Sequence, residues 1–221
     1  MGTEVTIQET GTVKLTPTEV ANGGGVAPIY FPDGAKGVNQ VLPPFTEIMR
    51  RGQGYTVRTA TLFAPLVAVP TTTAALEVYN NAQGEILVVT DLFMEQILAT
   101  AAQQANYISA MVTTKKAIPT LTALALTSMS GKPAVTPTAA SDIVTGVGTT
   151  VVANGWRVYG PGLNWGLGTA TPGPGYSAPI DGKIIVPYGC SLCVHVVGAL
   201  ATASSVHVGA TFARVAVDVE D

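Results

Sequence analysis

Four side chains near the end of the sequence have the chemistry of metal ligands or redox groups: Cys190, Cys193, His195 and His207. Thiolates and imidazoles are the usual ligands of zinc, and a C-x-x-C pair also performs disulfide exchange. The two histidines are not the second close ligand pair of a zinc site, and the cysteines lack the strand-to-helix turn of a redox motif. Two residues three positions apart in a strand face opposite sides. We therefore predict free, buried thiols without a metal, and histidines that pack within or between strands.

Other catalytic patterns are weak in this sequence. It has few carboxylates near the histidines and no G-x-S-x-G element, so a hydrolytic triad has little support. The glycines that follow Gly160 lack the strand-to-helix context of a phosphate-binding loop. We predict a protein that is not an enzyme and that needs no cofactor.

The segment from Gly160 to Ala178 is rich in Gly and Pro and predicts a long loop. It contains Trp165 and Tyr176. Aromatic rings in such a loop either pack against a neighbouring subunit or stack on a sugar, as in lectin-like sandwiches. We expect the subunit contact.

The composition predicts an assembly. Charged residues make up 11% of the chain and apolar residues 47%, whereas an average soluble domain has roughly 25% charged residues. The longest apolar stretch, near Ala117 to Thr127, is too short to span a membrane, and no signal peptide is evident. A net charge of −3 argues against nucleic-acid binding. We therefore expect a homo-oligomer, most simply a trimer, made in a reducing cytoplasm, with neither membrane nor nucleic acid as partner.

Residues 54–221 predict an all-β sandwich. Short segments rich in Val, Ile and Thr alternate with Gly, Pro and Asn turns. Asp91 to Ala105 is open to a helical interpretation, but a strand as far as Ile97 is favoured. The predicted strands are Tyr55–Val69 with a break at Pro65, Ala74–Asn80, Glu85–Met94, Asn106–Lys115, Leu121–Thr127, Thr149–Tyr159, Gly182–Val186, Ser191–Gly198 and Ser204–Val217.

The last two strands have the clearest alternation. Leu192, Val194 and Val196 share one face, and four further residues share a face of the final strand: Val206, Val208, Ala210 and Phe212. The opposite faces are also largely apolar or small. A sheet covered on both sides predicts contact with partner subunits.

Residues 1–53 predict an extended N-terminal arm, because Gly and Pro interrupt every candidate element. Val5 and Ile7 share a strand face and are expected to add an edge strand to a neighbouring subunit. The pair Arg50 and Arg51 is expected to form a salt bridge between subunits.

Asp181 to Leu192 contains the turn Pro187-Tyr188-Gly189, and an apolar strand follows at Val206 to Val215. This C-terminal pattern is similar to the end of jelly-roll virion proteins of tailed bacteriophages, in which such a strand closes the sheet. Leu76 to Val89 resembles the first paired strands, so the likeness covers about Ala74 to Val217. It implies a jelly-roll-like antiparallel sandwich and a place in the virion, with major capsid protein or other virion subunits as partners.

Three functions remain open. The resemblance favours a capsid decoration or cement protein that oligomerises and stabilises a shell. Another virion part, such as a tail or neck fibre module or a small jelly-roll major capsid protein, is the alternative. A carbohydrate-binding module that uses Trp165 and Tyr176 is the third.

Deletion of residues 1–50 tests the arm. These residues cannot build a core of their own, so the truncated chain should keep its circular dichroism spectrum and its thermal unfolding transition. Its assembly, followed by light scattering, should weaken because the arm contacts are gone. A truncated chain that assembles as tightly as the full chain would show that the arm is no clamp.

Overall fold

Eleven β-strands make up the described part of the computed structural model, which covers Ile48 and residues 51–70, 73–99, 105–115, 117–148, 155–164, 175–198 and 204–217. They are β1 (Gly54–Arg58), β2 (Ala74–Asn80), β3 (Glu85–Ala99), β4 (Ala105–Thr114), β5 (Thr122–Ala123), β6 (Leu126–Ser128), β7 (Ile143–Gly148), β8 (Arg157–Asn164), β9 (Gly175–Val186), β10 (Cys190–Gly198) and β11 (Ser204–Ala216).

The strands form two antiparallel sheets, ordered β6-β1-β11-β3-β9 and β5-β7-β2-β10-β4-β8. Apart from β5, β6 and β7, consecutive strands alternate between the sheets except that β8 pairs with β4 in the second sheet. This leaves β1-β11-β3-β9 facing β2-β10-β4-β8. This is the eight-stranded pattern of two Greek keys that defines a jelly roll. The predicted jelly-roll-like sandwich is confirmed.

An insertion between β4 and β8 widens both sheets. Its strand β6 pairs with β1, while β7 pairs with β2 and carries β5 at the edge. Thr145 of β7 donates its hydroxyl to the Leu124 carbonyl at 2.7 Å. Arg214 of β11 binds Asp142 of the insertion at 2.9 Å and also pairs with Glu85. The insertion is therefore anchored to the sandwich by two strand pairings and one ion pair.

The core lies between β10 and β11. Leu192, Val194 and Val196 are fully buried, as are Val206, Val208, Ala210 and Phe212. The alternation predicted for both strands is confirmed.

The second face of β10 is also buried, but within the described chain itself. Cys193 packs with Ala74, Met111 and Trp156, and His195 is only 6% exposed. The burial of this face therefore does not by itself require a partner subunit, and the contact expected there stays a prediction. Intramolecular packing from β2, β4 and the residues before β8 supplies the cover.

The predicted loop from Gly160 to Ala178 is shorter than expected. Strand β8 continues to Asn164 and β9 begins at Gly175, and residues 165–174 lie outside the described part. Gly160 has a φ of 78°, and a side chain there would overlap the Tyr176 hydroxyl. The register of β8 against β4 shifts near this glycine, and the strand continues beyond it. The glycine therefore bends the strand without ending it.

Other strand boundaries also needed correction. The predicted strand Leu121–Thr127 is split into β5 and β6, which join different sheets. The predicted strand Tyr55–Val69 ends at Arg58, after which only Phe63 and Leu66 form isolated bridges. The strand interpretation of Asp91 to Ile97 is confirmed, because β9 and β11 pair with β3 on both sides.

The arm predicted for residues 1–53 lies outside the described part except for Ile48 and residues 51–53. The described residues lie within one unit, Leu42–Asp221. The division at residue 53 therefore stays a prediction. Within the described residues, no helix is long and apolar enough to cross a membrane.

Asn80 provides a test of the fold. Its buried amide donates to the carbonyls of Glu85 (2.9 Å) and Val186 (3.0 Å) and accepts from the Ala82 amide (3.0 Å). Asn80→Ala leaves these groups without that partner and should lower the free energy of unfolding by on the order of 3 kcal/mol. Chemical denaturation measures the change.

The neighbouring residue is the matched control. Asn81 makes one side-chain hydrogen bond, to the Ser141 carbonyl at 3.2 Å. Asn81→Ala should cost about 1 kcal/mol. If both variants lose the same free energy of unfolding, the larger contribution expected of Asn80 is contradicted.

Candidate functional site

The two cysteines lie on opposite faces of β10. Cys190 lies opposite Thr114 and packs against the main core, whereas Cys193 lies opposite Met111 in the outer cluster. The predicted geometry is confirmed, and both thiols are free. Burial raises the pKa of Cys193 to about 12, so its thiol stays protonated and unreactive at neutral pH.

Beside Cys193 lies a buried ion pair that sequence reasoning missed. Glu77 of β2 is opposite Cys193 in the sheet and fully buried. Its carboxylate lies 3.2 Å from the ammonium group of Lys115. Removal of one partner from such a pair leaves a buried charge without compensation, so the pair ties β2 to the end of β4. A signal was present, because Glu77 is the one charged residue of a largely apolar strand.

His195 lies on the same face of β10 as Cys193. Its ring meets Phe63 edge to face, with centroids 6.2 Å apart. In the tautomer protonated at Nε2, the Val196 amide donates to Nδ1 at 2.8 Å. Burial lowers the pKa of His195, and a hydrogen bond with the Val196 backbone opposes this only in part. The imidazole is thus held neutral, as a packing residue.

His207 belongs to the other sheet. Its Nδ1 lies 3.2 Å from the Thr59 hydroxyl, and that hydroxyl oxygen accepts a hydrogen bond from the Val208 amide. The two histidines therefore do not converge, and both pack between elements as predicted. Among the described residues, no group of three or more His, Cys, Asp or Glu side chains is placed to hold a metal ion.

Most of the predicted interface residues cannot be placed. Val5, Ile7, Arg50 and Trp165 lie outside the described residues. Arg51 is exposed in the turn before β1. Of the two aromatic residues predicted to lie in a loop, Tyr176 is the second residue of β9 and packs, half-buried, against the core. Its role at an interface stays a prediction.

The connection from β1 to β2 forms an exposed apolar edge, here called the apolar lip (residues 60–70). Leu62, Val67 and Val69 are 43%, 66% and 41% exposed. Leu66 of the lip pairs with β10 while Phe63 pairs with β11, which fixes the lip across the end of both sheets. Between the lip and His195 lies a cavity of about 520 Å³.

This end of the sandwich has few charges. The described ends of β3, β4, β8, β9, β10 and β11 that lie here are joined through residues 100–104, 165–174 and 199–203, outside the described part. Those three sequences and the lip contain no Asp, Glu, Lys or Arg. The described strand ends at 97–99, 105–107, 162–164, 175–177, 196–198 and 204–206 also contain no Asp, Glu, Lys or Arg. The lip and these strand ends make this end of the sandwich the candidate interaction surface.

No protein-family model matches the chain. No curated protein matches it. Three solved virus structures match weakly. A chain from "KBV activated particle at acidic pH" is 10% identical, with a TM-score of 0.24, over 99% of this chain and 93% of that chain. A chain from "Israeli acute paralysis virus heated to 63 degree - full particle" is 11% identical, with a TM-score of 0.22, over 98% and 90%.

The third match, a chain from "Crystal Structure of Israel acute Paralysis Virus Pentamer", is 9% identical, with a TM-score of 0.22, over 98% and 90% of the two chains. TM-scores this low carry no argument, so the jelly-roll topology is established here by the strand pairings of this chain alone. None of the three names a tailed bacteriophage. The resemblance to that group therefore stays a prediction.

The burial of His195 predicts a loss of stability in mild acid. Because its folded-state pKa lies below the ordinary 6.5, stability is complete above about pH 6.5 and falls as the pH drops below it. Glu77, opposite Cys193, is already paired with Lys115 and does not compensate the new charge. The melting temperature should therefore fall as the pH is lowered below about 6.5.

His195→Gln, which cannot titrate, should flatten this part of the melting profile. The same substitution at the half-buried His207 of the other sheet is the matched comparison. If His195→Gln retains the full acid sensitivity, another group is responsible for it.

Proposed function

We propose that this protein is a non-enzymatic structural subunit of a virion, most specifically a decoration or cement protein that binds a shell as a trimer and stabilises it. The jelly roll supports the proposal by analogy, since this fold is common in viral capsid domains. The proposal places the protein in the virion after its synthesis in the host cytoplasm. Its partners are then copies of itself and the major capsid protein.

The observation that carries the proposal is the uncharged end with its apolar lip. A monomer normally covers its surface with Lys, Glu and Arg, which keep it soluble. Here Leu62, Val67 and Val69 project from a segment with no charge. A surface without charge brings no like-charge repulsion when identical copies meet, so it suits association of the chain with itself.

Another virion part remains the alternative, either a fibre module of the tail or neck or a small major capsid protein. The alternatives differ in what the purified chain forms. A major capsid protein assembles shells unaided, whereas a decoration protein forms a small closed oligomer that joins an existing shell. Mass photometry and electron microscopy of the purified chain distinguish these outcomes.

Replacement of the lip residues tests the proposal. The triple variant Leu62→Ser, Val67→Ser and Val69→Ser removes exposed apolar area and should leave the sandwich folded. If each side chain contributes about 1 kcal/mol to association, the oligomer should dissociate on the order of 100-fold more readily. Sedimentation equilibrium measures the association, and circular dichroism checks the fold.

A matched control replaces exposed apolar residues away from the lip. Met129, Val135 and Ile185 are 52%, 61% and 48% exposed. Their triple change to Ser should leave the association unchanged. The proposal fails if the wild-type chain is a monomer that joins no shell, or if the control weakens association as much as the lip variant.

A further inference from the structure

The outer face of the first sheet is a second surface with defined chemistry. Across its centre, Arg58 of β1, Gly209 of β11, Phe93 of β3 and Ser177 of β9 lie directly opposite one another. This row crosses four strands and contains one aromatic ring between polar side chains. All of its residues lie in the described part of the chain.

Gly209 seats the ring of Phe93. A Cβ atom at Gly209 would overlap Cζ and Cε2 of Phe93 and would lie 2.6 Å from the Val57 carbonyl oxygen. The ring therefore lies across β11 in the space that any other residue would fill. The ring thus packs against the backbone of β11 and stays partly exposed, which provides an aromatic platform on this face.

Hydrogen-bonding groups surround this platform. In the adjacent row, Thr56, Thr211 and Asp91 lie opposite one another. The Asp91 carboxylate accepts a long hydrogen bond from Ser177 at 3.4 Å. On the other side, Glu95 pairs with Arg58 at 2.9 Å, and both side chains remain partly exposed. Hydroxyls and carboxylates thus border the ring on two sides.

Two shallow cavities flank the ring and share Phe93 and Glu95. One, of about 490 Å³, extends over β9 past Gly175 and Ser177. The other, of about 440 Å³, is bounded by the insertion at Ala123–Thr127. Each lies within the size range of small-ligand sites, roughly 300–1,000 Å³. Together they form a groove that crosses the sheet with the ring at its midpoint.

We propose that this groove binds a neutral oligosaccharide, with one sugar ring on Phe93 and its hydroxyls on Asp91 and Glu95. The apolar C–H face of a sugar ring suits a fixed aromatic face, and carboxylates form strong hydrogen bonds with hydroxyl donors. Two carboxylates and one guanidinium leave the groove slightly negative, which disfavours nucleic acids and acidic glycans. An extended peptide pairs with a strand edge, whereas this surface is the face of a sheet.

The proposed sugar contact is centred on a residue other than the two aromatic residues that the sequence suggested. The sugar-stacking alternative relied on Trp165 and Tyr176, but Tyr176 only borders the cavity over β9. Phe93 occupies the centre, and its neighbours come from four strands. The glycan site does not depend on a virion role.

The test uses the purified full-length chain with four neutral probes: maltohexaose, cellohexaose, laminarihexaose and the hexamer of N-acetylglucosamine. Saturation-transfer NMR detects binding, and calorimetry measures it. At least one probe should bind with a dissociation constant in the range of about 0.1–5 mM. Phe93→Leu, which keeps apolar bulk but removes the ring, and Asp91→Asn should each weaken binding about 10-fold or more.

Tyr188→Ala is the matched control, since Tyr188 is an exposed aromatic residue in the turn between β9 and β10. It should bind like the wild type. Thermal unfolding of each variant confirms that it is folded. The proposal is overturned if no probe binds at about 10 mM, or if binding survives both groove variants. Loss of binding in Tyr188→Ala alone would also overturn it.

Discussion

The packing of β10 against β11 is the constraint on which the other features depend. Seven fully buried side chains of these two strands face each other, from Leu192 to Phe212. Because side chains alternate along a strand, a register slip of one residue would exchange the inner and outer faces. The core therefore decides which residues reach the outer faces: Cys193 and His195 on one sheet, Gly209 and its neighbours on the other.

The outer faces of the two sheets differ in how far the chain covers them. The outer face of β10 is covered by the chain itself, because Trp156 packs against the cluster of Cys193 and Phe63 of the apolar lip meets the ring of His195. The outer face of the first sheet leaves Phe93 and its polar neighbours partly exposed. Because one outer face is covered and the other is accessible, the sandwich can combine apolar strands with a polar groove.

The few charged residues of the chain are distributed unevenly. Arg214 pairs with Glu85 and Asp142, where the insertion meets the sandwich, and Glu77 pairs with Lys115 inside it. The lip contains no charged residue. The lip side chains Leu62, Val67 and Val69 line neither cavity of the proposed glycan groove. The proposed self-association surface can therefore be altered while the residues proposed to bind the sugar are kept.

The sequence by itself determined the sandwich, the bounds of β2, the inner faces of β10 and β11 and the opposite orientation of Cys190 and Cys193. These features follow from local alternation and turn residues. Only the tertiary structure decided that Glu77 is buried, that β8 and β9 extend into the expected loop and that Phe93 lies over Gly209. Each depends on partners far away in the chain, and a strand pattern records which side a residue faces but not what covers that side.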